Sequence, residues 1–162
     1  NIIFSFGEID VRNFYYQILK IDKSFKSDKL LTKFIVDSFI ENFLFLKKML
    51  KNKNIGNIKF YFKDITPTTY KKSHNPTNIK ELEKIRKDNL FPVIGKLKER
   101  VYWRKILSKK IESQCKKKEI TFIKLNKKNF AKSGCINKLK TFDNGHISDL
   151  DLLNDIQLKV KY

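Results

Sequence analysis

The chain has 162 residues, of which 41% are hydrophobic and 13% aromatic, a composition that supports one packed domain and excludes a mostly disordered protein. Its formal net charge is +19, from 36 basic and 17 acidic side chains. Lysine is spread over almost the whole sequence beside abundant Ile, Asn and Phe, which is typical of biased codon usage rather than of a selected basic patch. A preference for polyanions or anionic surfaces is the alternative.

Several classes of site and segment find no support in the sequence. No nucleic-acid-binding motif occurs, so we expect no specific nucleic-acid partner. Cys115 and Cys135 lack the spacing of a zinc site or a disulfide framework, so we expect structural roles for both and no metal. The longest apolar stretch is interrupted by Asp37 and Glu41, which argues against a transmembrane segment. The first residues lack a charged leader, which favours the cytoplasm.

The first predicted element is a strand over Asn1–Phe6, a short and almost wholly apolar run that ends at Gly7. Such a run is typical of a central strand that is buried on both faces. The polar residues 7–12 follow its carboxyl end, which is where ligands bind in open α/β sheets.

The next two elements are a helix over Ser27–Lys51 and a strand over Ile58–Phe62. Apolar residues recur at steps of three and four along the helix, and Ser27 with Asp28 suits its start. Because a long helical connection joins the two strands, we expect them to be parallel, with a right-handed crossover.

The rest of the chain repeats this alternation. Thr66–Gly95 is irregular and contains all three prolines, with a short helix at about Asn78–Lys87. A helix over about Lys96–Lys118, a strand over Ile120–Leu125 and a last helix over Asp149–Tyr162 follow. The order predicts a single α/β domain with a parallel sheet flanked by helices.

Asp143 and His146 form the clearest catalytic candidate. One tight turn, with the small Gly145 inside it, presents both side chains on the same side, so that the carboxylate can orient the imidazole as a general base. The alternative interpretation is the start of the last helix, capped by Ser148 or Asp149, with His146 merely solvated.

Two segments resemble conserved blocks of the SGNH/GDSL hydrolase superfamily: FSFGEIDVR at residues 4–12 and FDNGHISDLD at residues 142–151. The order of Asp64-Ile65-Thr66-Pro67, Glu99-Arg100 and Cys115 between them is also similar. The resemblance implies a flavodoxin-like three-layer α/β/α fold and ester hydrolysis without a cofactor. It also implies that His146 is the base, Asp143 its orienting acid, and a serine from an early G-D-S block the nucleophile.

The first of these blocks departs from the family at Ile9, where an Asn amide would donate to the oxyanion. Either Arg12 or Asn13 replaces that donor, or the oxyanion hole uses backbone N–H groups, or activity is reduced. The candidate oxyanion or substrate-binding residues are therefore Gly7, Glu8, Asp10, Arg12 and Asn13. The alternative is a structural ion-pair cluster at the end of the strand, made by the charged members of this set.

The sequence contains neither a G-D-S block nor a G-x-S-x-G elbow. Ser5 lies within the apolar strand, and Ser133 is too near His146 to match the family nucleophile. Since the chain starts without Met in what would be a middle strand, we expect an N-terminal part with one or two strands and the serine to be missing.

The leading hypothesis is therefore a serine hydrolase of acyl or acetyl esters, including those of carbohydrates. The alternatives are a non-catalytic relative that binds a ligand and a basic nucleic-acid-binding protein. His74 in the polar loop is a candidate lining residue, and Tyr102 with Trp103 could stack on a ligand, although core packing explains the two aromatic residues equally well.

Overall fold

A computed structural model describes residues 2–5, 10–53, 59–89 and 92–137, except for the side chains of residues 10 and 12. The predicted last helix, Asp149–Tyr162, lies outside the described residues. No helix within them is both long enough and apolar enough to cross a lipid bilayer.

Within the described ranges the sheet has three parallel strands in the order β1-β2-β3. They are β1 (Ile2–Ser5), β2 (Phe60–Lys63) and β3 (Thr121–Ile123). Ile3 is paired with Tyr61, and Phe62 with Phe122. The parallel sheet predicted from the sequence is thus confirmed, with strands a little shorter than the apolar runs that indicated them.

Three α-helices lie between and beside these strands: α1 (Asp28–Asn52), α2 (Ile79–Asp88) and α3 (Leu97–Lys117). The predicted start of α1 is confirmed, since the Ser27 hydroxyl accepts a hydrogen bond from the Leu30 N–H at 3.3 Å. Asn78 caps α2 in the same way, through the Glu81 N–H at 3.0 Å. These caps satisfy N–H groups that have no partner inside a helix.

Helices α1 and α3 pack against each other and against the same face of the sheet. Phe43 of α1 shows this, because its ring lies 6.3 Å from that of Phe60 and 5.8 Å from that of Phe62. Right-handed crossovers that advance across a sheet in one direction place their helices on one face. Burial of Phe43 is worth about 1.5–3 kcal/mol in transfer free energy.

The opposite face of the sheet also buries apolar side chains. Tyr61 and Ile123 are buried there and contact Ile3, in a cluster separate from the one beneath the helices. Side chains alternate between the two faces along each strand. Both faces of this small sheet are therefore apolar, as a centrally placed parallel sheet requires.

Residues 10–21 are helical, which the sequence interpretation did not predict. Two π-helical turns, Asp10–Phe14 and Gln17–Ile21, are joined through the fully buried Tyr15. The Tyr15 ring stacks on that of Trp103 at 5.5 Å, and its hydroxyl bonds the Thr32 hydroxyl at 2.9 Å. Tyr15 thus ties the chain after β1 to both α1 and α3.

Candidate functional site

The carboxyl edge of the sheet gathers the segments that leave the strands. Ser5 at the end of β1 is paired with Lys63 at the end of β2, so the chain leaves these two strands side by side. Residues 10–14 follow β1, Asp64 follows β2, and Leu125 lies just beyond β3. This is the edge at which ligands bind in open α/β sheets.

Most of the predicted site residues fall outside what the structure describes. Asp143, His146, Gly7 and Glu8 lie outside the described residues. Asp10 and Arg12 belong to the first π-helical turn, but their side chains are not among those described. The choice between an oxyanion site and a structural ion-pair cluster therefore stays a prediction.

Asn13 is the predicted site residue whose side chain is described. Its Oδ1 atom is shielded from solvent and accepts no hydrogen bond from the described part of the chain. A buried acceptor without a donor costs roughly 1–3 kcal/mol. The Oδ1 of Asn13, near the start of the segment that follows β1, therefore lacks a hydrogen-bond donor among the described residues.

Asp64, which directly follows β2, is a buried charged group at this edge. It is 2% exposed, and its Oδ1 accepts hydrogen bonds from the Ser108 hydroxyl at 2.5 Å and from the Ile65 N–H at 2.8 Å. Its Oδ2 lies 3.0 Å from Nη2 of Arg104. Three donors thus satisfy an ionised carboxylate in the protein interior.

Arg104 fixes the backbone as well as the carboxylate. Its Nε and Nη2 donate to the carbonyl of Ile65 at 3.1 and 2.7 Å, and its guanidinium lies 4.5 Å from the ring centroid of Phe130. Burial lowers the pKa of Arg104, and the charge of Asp64 opposes that shift. The pair holds the first residues after β2 in one conformation.

Arg100 holds the two ends of the long loop together, one turn before Arg104 on α3. It is 1% exposed. Its Nε donates to the Gly95 carbonyl at 3.1 Å, and its Nη1 donates to the Thr68 hydroxyl at 2.6 Å and the Thr69 carbonyl at 3.1 Å. The Arg100 guanidinium therefore joins the start and the end of the loop between β2 and α3 by hydrogen bonds.

His74 lies inside the loop between β2 and α3. Its N–H donates to the Val93 carbonyl at 2.8 Å, and its own carbonyl accepts from the Gly95 N–H at 2.9 Å. The side chain is half-buried. The described contacts of His74 are those of a loop-packing residue, and they give no sign of a catalytic partner.

The cysteines and Trp103 have structural positions, as one reading of the sequence predicted. Cys115 and Cys135 are both buried and unbonded to each other, and burial raises the pKa of the Cys115 thiol to about 12. Trp103 is buried against Tyr15, whereas Tyr102 is exposed. Within the described ranges no three His, Cys, Asp or Glu side chains are grouped as a metal site.

Sequence reasoning missed the cluster of Asp64, Arg104 and Ser108. Two signals could have found it: an acidic residue immediately after a buried strand, and an Arg and a Ser four residues apart, which share one face of a helix.

Comparison with protein-family models, with curated proteins and with solved structures finds no match to this chain.

Proposed function

We propose that this protein is a serine ester hydrolase of the SGNH/GDSL type, acting on acyl or acetyl esters such as those of carbohydrates. The observation that carries the proposal is the parallel order β1-β2-β3, which brings the two segments after β1 and β2 to one edge of the sheet. Both belong to the stretches that resemble the family. Asp143 would orient His146, and His146 would act as the general base.

The finer fold assignment, a flavodoxin-like three-layer α/β/α domain, is part of the same proposal. Two observations support it: α1 and α3 cover one face of the sheet, and Tyr61 with Ile123 forms a buried apolar cluster on the other. One half of a doubly wound sheet has consecutive parallel strands in this order. The proposal places one or two further strands, and the nucleophilic serine, in a part of the protein that precedes Asn1.

Asn13 is our first choice for the side chain that replaces the family amide at Ile9. Its Oδ1 is buried and without a described donor, and the Nδ2–H group of the same amide would be the donor to the oxyanion. Arg12 and the backbone N–H groups of this turn are the other donors that the proposal allows. A preorganised donor at the developing oxyanion contributes about 3–4 kcal/mol to an acyl transfer.

Asp64, Arg104 and Ser108 would serve this site as its rigid support. Ser108 itself does not fit the role of nucleophile, because its hydroxyl donates to the Asp64 carboxylate and the residue is buried. A nucleophilic serine instead needs a base within hydrogen-bonding reach. The three residues fix the backbone after β2, and a site of this kind depends on such fixed surroundings.

The test compares two histidines in the full-length protein. We expect His146→Ala to lower kcat for 4-nitrophenyl acetate by about 10³-fold or more, and Asp143→Asn by a comparable factor, because each removes a member of the triad. His74→Ala is the matched control and should retain wild-type turnover. Equal turnover in all three variants would overturn the assignment of the base.

Covalent labelling tests the serine separately. A fluorophosphonate probe should modify one serine of the full-length protein, and peptide mapping should place it in a G-D-S block. Labelling should be slow in the His146→Ala variant, because the base no longer activates the hydroxyl. No turnover and no labelling of the wild-type protein would refute the proposal and favour a non-catalytic relative, which Ile9 supports.

A further inference from the structure

A cavity of about 460 Å³ opens between α3 and the segment that follows β3. Its volume lies within the range of pockets that hold small organic ligands. Asp64 and Leu125 line the cavity, so it lies beside the carboxyl ends of β2 and β3. Its lining shares Asp64, Arg104 and Ser108 with the support of the proposed hydrolase site. The binding inferred below does not require the triad, so it can be tested separately from ester hydrolysis.

The floor of the cavity is apolar. Leu125 is buried, and Ile106 and Phe130 are partly buried around it. The ring of Phe130 is held by the guanidinium of Arg104 at 4.5 Å, and Arg104 is itself fixed by Asp64. The floor is therefore preformed. A hydrocarbon chain that binds to it would be removed from water, and the protein side chains would lose little conformational entropy on binding.

The rim of the cavity carries more positive charges than its carboxylates can neutralise. The charged lining residues are the cations Arg104, Lys105, Lys109, Lys124 and Lys127 and the anions Asp64 and Glu112. Asp64 is paired with Arg104 at 3.0 Å, and Glu112 accepts from Lys124 at 3.0 Å. Among the described lining residues no further carboxylate is left for Lys105, Lys109 and Lys127.

These three lysines line the cavity from two different elements. Lys105 and Lys109 lie one turn apart on α3, and Lys127 lies in the 3-10 turn Lys127–Asn129. All three are exposed, so their ammonium groups stay solvated until an anion arrives. An anionic group above an apolar floor would meet three positive charges without displacing a carboxylate.

We propose that this cavity binds a small amphipathic anion, an aliphatic carboxylate whose chain lies on the floor of Ile106, Leu125 and Phe130 and whose carboxylate faces the three lysines. Each exposed ammonium contributes a factor of roughly two to five to such a contact. Three together should favour the anion over an uncharged analogue about tenfold.

The first experiment measures ligand class. Isothermal titration calorimetry on the full-length protein uses sodium decanoate, decanol and decyltrimethylammonium, each below its solubility or micellar limit. Decanoate should bind at one site, with about tenfold higher affinity than decanol and still higher affinity than the cation. Equal affinity for decanoate and decanol, or no saturable binding, would overturn the proposal.

The second experiment separates this site from the general attraction of a chain with net charge +19. The triple variant K105Q/K109Q/K127Q should weaken decanoate binding about tenfold and leave decanol binding unchanged. K80Q/K84Q/K87Q is the matched control, since it removes three exposed lysines from α2. It should change affinity less than twofold, and an equal loss in both triples would refute a localised site.

The third experiment locates the chain of the ligand. In methyl-labelled protein, nuclear Overhauser contacts should join the decanoate methylenes to the methyl groups of Ile106 and Leu125. Ile79, an exposed isoleucine at the start of α2, is the control and should show none. Contacts to Ile79 alone, or contacts spread evenly over exposed apolar residues, would contradict the placement.

Discussion

Arg104→Met should be among the most damaging single changes at the carboxyl edge of the sheet. It removes the partner that lies 3.0 Å from Asp64 and both donors to the Ile65 carbonyl. Asp64 would keep the Ser108 hydroxyl, the Ile65 N–H and the nearby charge of Lys63, but it would lose the cation that pairs with it directly. Breaking a buried ion pair from one side costs about 3–5 kcal/mol of unfolding free energy.

The reciprocal change, Asp64→Asn, leaves the Arg104 charge uncompensated and should cost a similar amount. Each single variant leaves one buried charge without its partner, whereas the double variant leaves neither charge. The double variant should therefore lose less unfolding free energy than the sum of the two single losses, by about 2 kcal/mol or more. Urea unfolding followed by circular dichroism measures all four proteins, with the m-value as a check that the same two states are compared.

Two results would refute this reasoning. Single losses below about 1 kcal/mol would mean that water already solvates the pair, as at exposed salt bridges. Losses that add within about 0.5 kcal/mol would mean that the two side chains act independently. Ser108→Ala removes one neutral donor and should cost only about 1–3 kcal/mol, which sets the scale for a hydrogen bond at the same carboxylate.

Three further predictions concern the loop and the core. Arg100→Lys keeps the charge but not the fork that reaches Gly95, Thr68 and Thr69, so we expect a loss of about 2–3 kcal/mol and faster proteolysis within residues 66–89, seen by mass spectrometry. Gly95→Ala should cost about 1–2 kcal/mol for its φ of +85°, and more because the new Cβ would lie 2.8 Å from the Tyr16 ring; unchanged thermal stability would contradict this. Cys115, with its pKa raised to about 12 by burial, should resist iodoacetamide at pH 8 until urea is added. Since the unfolded thiol loses its proton near about pH 8.5, its contribution to stability is complete below that pH and is lost as the pH rises toward 12.

The helices and strands were largely predictable because their signals are local. Ser27 and Asn78 each mark the start of a helix through a side chain that accepts from an N–H three residues later. Parallel pairing followed from the long helical connections. Residues 10–21 were missed because their apolar spacing, Val11 to Tyr15 to Ile18, covers only two turns and follows directly on a charged segment.

The candidate site was less predictable, for a physical reason. Arg100 and Arg104 reach acceptors more than 30 residues away along the chain, and no local pattern reports such pairings. A basic residue on a helix is most often solvated, and only the fold shows that these two are buried. The assignments of Asp143 and His146 depend on the family resemblance, and they stay predictions that the proposed variants test.

The central position of β2 has a consequence for how this chain acquires its structure. Ile2 pairs with Phe60 and Tyr61 pairs with Thr121, so both of these pairings close spans of about 60 residues. No hairpin occurs among the three described strands. Such non-local topologies fold slowly, on the order of milliseconds to seconds. During synthesis β1, α1 and β2 can associate first, with one edge of β2 open until β3 emerges. That open edge belongs to a strand with the sequence FYFK, and it is where a nascent chain would need protection from aggregation.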